Sequence, residues 1–308
     1  MDHAATDDLL ARRLDRLRTG LARPPTRPSS SGREQAQRLA DELGGRAATA
    51  GGGAVVVFET VVALPLDTRA LGELPYPIDS QRPLVCLDLE TTGLGTAAGT
   101  LPFLVGIGRW NGAALTVTQL LLPDHADEPS MLSALEAAVP DGAWLVTYNG
   151  RSFDWPLIAS RFRLHRRVPP VPAGHLDLLP VARQIWKHRL GDARLATVER
   201  LAGVGRKDDL PGALVPKRYF RYLRERCAEP LLAVLEHNRQ DVVSLGLLLA
   251  VLADQLGRRE SWPSVHPGDL YGLGRAYARR GRAADALACL DQALLTIRGR
   301  SVARDDGT

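Results

Sequence analysis

Residues 84–90 read LVCLDLE, four apolar residues followed by Asp88, Leu89 and Glu90. Side chains alternate along an extended chain, so Asp88 and Glu90 point to the same face. The apolar run predicts a short strand buried in a sheet, with the two acids emerging at its end. Adjacent carboxylates repel, which costs stability unless a cation neutralises them. An oxygen-preferring divalent ion, Mg²⁺ or Mn²⁺, is such a cation. The plainer alternative is an exposed strand end with solvated acids.

The surrounding pattern sets the fold class. A β-branched run at 55–64 predicts a strand, and 74–83 (LPYPIDSQRP) a loop. Segments 103–110 and 114–122 predict two strands joined at Asn111-Gly112, a strong hairpin signal. Segment 129–139 is helical in pattern, 143–148 (AWLVTY) a strand, and 154–164 a helix. A brief strand at 175–178 precedes helices near 179–189, 194–203, 216–227 and 231–256. A three-strand meander followed by alternating strands and helices predicts an α/β fold with a mixed sheet flanked by helices. The glycine-rich run TTGLGTAAGT contains neither dinucleotide-binding nor P-loop spacing, which argues against NAD and ATP.

Two further features carry acids. In Tyr148-Asn149-Gly150-Arg151-Ser152-Phe153-Asp154, a strand runs into a polar turn and a helix begins at Asp154. An Asp there is either an N-cap or a ligand. In His237-Asn238-Arg239-Gln240-Asp241, the i, i+4 spacing puts His237 and Asp241 on one helix face. A buried Asp in this Leu/Val-rich helix needs a partner, which a metal ion, Arg239 or a neighbouring helix would supply.

In order, the chain holds D-x-E on a core strand, N-G-x-x-F-D after a later strand and H-x-x-x-D on a late helix. This set resembles the DEDD superfamily of 3′–5′ exonucleases, which have a ribonuclease H-like fold. It is most similar to a bacterial branch often called YprB-like, which adds a TPR segment. The similarity runs over about 52–293, through LDLETTGLGTAAGTLPFLVGIG, TYNGRSFDWPLI, RKDDLPGALVP and HNRQDVVSL. The third stretch holds no acid assignable to catalysis.

The resemblance implies a two-metal nuclease in which Asp88, Glu90, Asp154 and Asp241 hold two Mg²⁺ or Mn²⁺ ions. It gives His237 the attacking water, to orient or deprotonate. Asp177 is a fifth acid expected behind this set. The family usually has Tyr four residues before the last Asp, or His five before it; this chain has His at four and Glu236 at five. Helical phase favours His237, about 40° from Asp241 on the wheel against about 140° for Glu236. The expected substrate is nucleic acid, DNA or RNA, entered at single-stranded 3′ ends. An endonuclease or a non-catalytic nucleic-acid-binding module on the same scaffold are the alternatives.

Charge suggests where substrate would lie. The chain carries only +4 net, but 161–226 contains 16 Lys and Arg against 6 Asp and Glu. Arg161, Arg163, Arg166 and Arg167 are the expected phosphate contacts, with Thr91 and Asn149 nearer the acids; solvated helix faces are the alternative. At the C-terminus, DLYGLGRAYARRGRAADALACLDQALL matches the packing positions of one tetratricopeptide repeat. That predicts a helical hairpin at about 267–298 packed on the nuclease domain or on a protein partner.

The expected organisation is a flexible 1–50 with a Pro/Ser/Arg linker (RPPTRPSSSG), a strand extension at 51–83, a ribonuclease H-like domain at 84–256, and a TPR-like hairpin with its linker and tail at 257–308. No membrane span is expected, because no stretch of about 18 apolar residues lacks charges or turn formers. Three widely spaced cysteines exclude a disulfide scaffold, and the acidic N-terminus lacks signal-peptide character, so the expected location is cytoplasmic.

Overall fold

The computed structural model describes residues 32–79, 81–93, 99–206 and 210–305. Residues 1–31 of the expected flexible segment, with most of the Pro/Ser/Arg linker, lie outside the described residues, as do the glycine loop 94–98 and the acids Asp208 and Asp209.

The first described element is helix α1 (Gly32–Leu43), followed by strands β1 (Arg46–Ala50) and β2 (Gly53–Ala63). This corrects the expected flexible segment over 32–50: Ala36, Leu39 and Ala40, about one helical turn apart, are buried against the sheet. The neighbouring Pro/Ser/Arg run masks that short apolar stripe in the sequence. Helix α2 (Thr68–Gly72) is capped by Asp67, whose carboxylate accepts from Ala70 N–H at 3.0 Å.

Strands β3 (Leu84–Thr91), β4 (Pro102–Asn111) and β5 (Ala114–Leu121) form the meander. Asn111 pairs with Ala114 across the turn, where Gly112 takes φ +61°. Then come α3 (Glu128–Ala138), β6 (Trp144–Thr147), α4 (Asp154–Leu164), β7 (Gly174–Asp177), α5 (Leu178–Ile185), α6 (Lys187–Leu190) and α7 (Leu195–Val198). Helix α8 (Val215–Glu225) leads into the long α9 (Glu229–Val251), which continues as a wider turn over Leu252–Gly257. A hairpin of α10 (Pro267–Arg279) and α11 (Ala283–Asp305) completes the described chain.

The seven strands form one sheet in the order β1-β2-β5-β4-β3-β6-β7. β3 is central, antiparallel to β4 and parallel to β6, and β7 is parallel to β6. The 51–83 extension therefore lies in the sheet itself, through β2 against β5. Val85, Leu87, Ile107 and Leu145 belong to a core shared with α1, α3 and α4. Cys86, Val117 and Val146 belong to a second core shared with α5, the later half of α9 and the hairpin. Asp88 and Glu90 follow Cys86 on its pleat, so they face α9.

Two glycines decide how closely α9 approaches. A Cβ on Gly106 of β4 would stand 2.5 Å from Asn238 Oδ1 and 2.6 Å from Val242 Cγ2. One on Gly108 would stand 2.8 Å from Val242 Cγ1. Side chains at either position would push the helix, and its acid, away from β3. By length and composition Glu229–Gly257 would pass for a membrane span, contrary to the sequence expectation, but 56% of its apolar window is buried inside the protein.

The hairpin is docked rather than separate. Leu270 and Leu273 are fully buried, Tyr277 Oη donates to Glu73 O at 3.0 Å, and Arg189 pairs with Asp269 at 2.6 Å.

Candidate active site

Three elements deliver four carboxylates to one place. β3 supplies Asp88 and Glu90 near its C-terminal end, α4 supplies Asp154 in its first turn, and α9 supplies Asp241. The N-cap position of α4 is Phe153, and the Asp154 side chain makes no cap, so the capping alternative does not hold. Asp154 and Glu90 are buried at 7% and 9% exposure. His237 stands one turn before Asp241, its Nε2 3.8 Å from both Glu90 Oε1 and Asp241 Oδ2. Glu90, His237 and Asp241 each offer a ligand atom within 4.8 Å of the others.

The electrostatics match that crowding. Burial raises Asp88 far above the ordinary carboxylate range, and the charges of Asp241, Glu90 and Asp154 raise it further; the Asn238 hydrogen bond opposes them. Burial, then the charge of Asp177, pushes Asp154 up to about 7. Four carboxylates from three elements make a donor set of hard oxygens, which suits a divalent ion such as Mg²⁺ or Mn²⁺. A cation there would relieve the repulsion that raises Asp88.

Several residues of this site were not singled out in the sequence. Asn238, fully buried, donates from Nδ2 to Asp88 Oδ2 at 2.8 Å. Its own Oδ1 accepts from Gln119 Nε2 at 2.9 Å, and that nitrogen also donates to Leu235 O at 2.8 Å. The chain Gln119–Asn238–Asp88 thus fixes one carboxylate. Arg206 fixes another: it forms a two-bond pair with buried Glu199 at 2.7 and 2.8 Å and also pairs with Asp241. Ser244 Oγ donates to Glu199 at 2.7 Å, so α9 holds both ends of this network. The RKDDLPGALVP stretch therefore contributes a cation, Arg206. The available signal was polarity out of place: an inward Gln on β5 and an Asn inside an apolar helix.

Asp177 ends β7 beside these acids, and its oxygens accept from three backbone N–H groups. These are Asn149 at 2.8 Å, Leu179 at 3.0 Å and Arg151 at 3.2 Å. It holds the turn that leads to Asp154. Asn149 is exposed in that turn with φ +68°, and Thr91 Oγ1 donates to Gly93 O at 2.6 Å.

Two of the four arginines expected at phosphate have acid partners in the fold. Arg161 pairs with buried Glu128 of α3, which His165 Nε2 also reaches at 2.8 Å. Arg167 pairs with Glu136, bonds Ser133 at 2.8 Å and lies over the Phe162 ring. These two arginines join α3 to α4. Arg163 and Arg166 are exposed. Within 161–226, Arg189, Arg206, Arg221 and Arg226 also have carboxylate partners. Part of the charge excess along the sequence is thus taken up in ion pairs.

The chain is 38% identical over 195 residues to YprB of Bacillus subtilis (strain 168), covering 62% of this chain and 47% of that one. It thus spans about half the length of that relative. A family B DNA polymerase from Pyrobaculum calidifontis aligns with a TM-score of 0.44 and 15% identity, over 65% of this chain and 29% of the polymerase. That likeness is too distant to carry a functional reading. The RNase H superfamily model matches residues 85–253, from the acid-bearing strand to just beyond the end of α9. More than half of the chain, with the central strands, all four acids and His237, lies inside that match, and the chain belongs to the RNase H superfamily.

Proposed function

We propose that this protein is a divalent-metal-dependent nuclease, a 3′–5′ exonuclease on single-stranded ends of DNA or RNA. One observation carries the reading: four carboxylates from three elements converge, and the charges of the other three act on Asp88. Binding nucleic acid does not require converging acids, which repel phosphate. Asp88, Glu90, Asp154 and Asp241 would hold two Mg²⁺ or Mn²⁺ ions, which supply Lewis-acid stabilisation of attacking and leaving oxygens at phosphorus. The chain's own residues do the rest. Asn238 and Arg206 keep Asp88 and Asp241 from turning away from each other. His237 Nε2 orients the attacking water and accepts its proton, a role within reach of an imidazole near neutral pH.

The test is incubation with 5′- and 3′-labelled DNA and RNA, single- and double-stranded, with Mg²⁺, Mn²⁺ or EDTA. Stepwise shortening from 3′ ends, abolished by EDTA, is the expected result. Internal cuts would make the protein an endonuclease, and binding without cleavage would make it a non-catalytic module. The hairpin supports a second, separable role in holding a protein partner, because Leu287, Leu294 and Leu295 of α11 are exposed.

A further inference from the structure

A cleft of about 350 Å³ opens where the turn after β6, the end of β7, the 75–77 loop and the hairpin helix α10 meet. Its walls include Tyr76, Arg151, Ser152, His175, Arg279 and Arg280. Among the described residues, none of these three arginines has a carboxylate partner, unlike Arg161, Arg167, Arg189 and Arg206. Asp177, the acid in the lining, is occupied by the backbone N–H groups of Asn149, Arg151 and Leu179. The cleft is therefore positive in net character, with planar guanidinium forks suited to phosphate oxygens.

A second observation points the same way. The Tyr76 hydroxyl is buried without a hydrogen-bond partner. A buried hydroxyl left unpaired is costly, and an acceptor brought to it would remove that cost. Arg279 lies close enough for its charge to act on that hydroxyl.

The location ties the cleft to the acids. Arg151 and Ser152 belong to the turn that ends in Asp154, and a Cβ on Gly150 would stand 2.6 Å from Asp154 Oδ2. One side of this turn thus faces the carboxylates and the other faces the cleft. Parallel strands β3, β6 and β7 all end here, the usual location for ligands of open α/β sheets.

We propose that this cleft holds the phosphodiester backbone of the single strand whose end lies at the acids. The C-terminal hairpin supplies Arg279 and Arg280 to grip it. This rests on the nuclease reading and adds to it a function for the hairpin and a path for the strand. Tyr76 donates its hydroxyl to a phosphate oxygen.

The test compares the wild-type full chain with Arg279→Gln/Arg280→Gln. It measures binding of a fluorescent single-stranded 20-mer across a salt series, with Ca²⁺ replacing Mg²⁺ to slow cleavage. Removing two phosphate contacts should weaken binding and lower the slope of log Kd against log salt by about 1.4, at about 0.7 per contact. Cleavage of a dinucleotide in Mg²⁺, too short to reach the cleft, should be unchanged. Tyr76→Phe should weaken 20-mer binding without lowering the melting temperature, since it removes an unpaired hydroxyl. Unchanged slope and affinity in the double variant, beside a wild type that binds and cleaves, would overturn the cleft and leave the nuclease reading intact. A wild type that neither binds nor cleaves nucleic acid would overturn both. Inorganic phosphate displacing the 20-mer as effectively as a competing strand would assign the cleft to free phosphate instead.

Discussion

Two regions bury acids in opposite ways. At the α3–α4 seam, Glu128 is 3% exposed and is met by Arg161 and His165. At the end of β3, Asp88 meets Asp241, Glu90 and Asp154 instead, with a single amide, Asn238, in its support. A buried carboxylate with a cation is part of the architecture; removing the partner harms the fold because a charge is stranded. A carboxylate buried among its own kind raises the energy of the unliganded protein, and a fold tolerates that where something else is to be bound. The two cases differ in their partners, opposite charges around Glu128 and like charges around Asp88.

The largest expected effect breaks the acid cluster. Asp88→Asn or Asp241→Asn should abolish phosphodiester cleavage, while the metal-free melting temperature of Asp88→Asn stays level or rises. Added Mg²⁺ should raise the melting temperature of the wild type more than that of either variant. Equal metal-induced shifts in all three proteins would remove these residues from the ligand set.

Next comes His237, which stands among the acids without being one. His237→Ala should slow single-turnover cleavage by roughly 10²–10⁴-fold while leaving strand affinity and melting temperature nearly unchanged. A stable variant with the wild-type rate would reduce His237 to packing.

The seam should behave in reverse. Glu128→Ala strands Arg161 and should cost roughly 3–5 kcal/mol of stability, read by urea unfolding, with cleavage per folded molecule preserved. A variant with native stability but lost activity would merge the two regions functionally.

The smallest expected effect is a slope. Asp154 is held up to about 7 in the fold, against 3.8 when unfolded. The folded state therefore binds the extra proton between those values, and stability in EDTA should fall as pH rises from about 4 to about 7. Asp154→Asn should flatten that fall in a melting series. A wild type whose stability does not change across this window would show that Asp154 is not so perturbed.

Much of the fold was legible because its signals are short. Alternation in LVCLDLE, the Asn111-Gly112 turn and the start of a helix at Asp154 each need only a few neighbouring residues, and the strands from β2 onward and helices α3, α4 and α8 lie within two residues of expectation. Less legible were α1, whose three-residue stripe adjoins a Pro/Ser run, and the break of the 179–189 helix near Trp186.

By itself, the sequence determined which acids exist, which of them share a strand face or a helix face, and that the elements alternate as an α/β sheet. Those properties follow from backbone periodicity, which acts over one or two turns. Tertiary structure alone decided which charges are neutralised. Arg161 finds Glu128 33 positions away, Arg206 finds Asp241 35 away, and Asn238 reaches Asp88 across 150. Ion pairs and amide bonds act over a few ångströms in space with no fixed spacing along the chain. A count of arginines between 161 and 226 therefore does not tell which of them the folded chain pairs with acids.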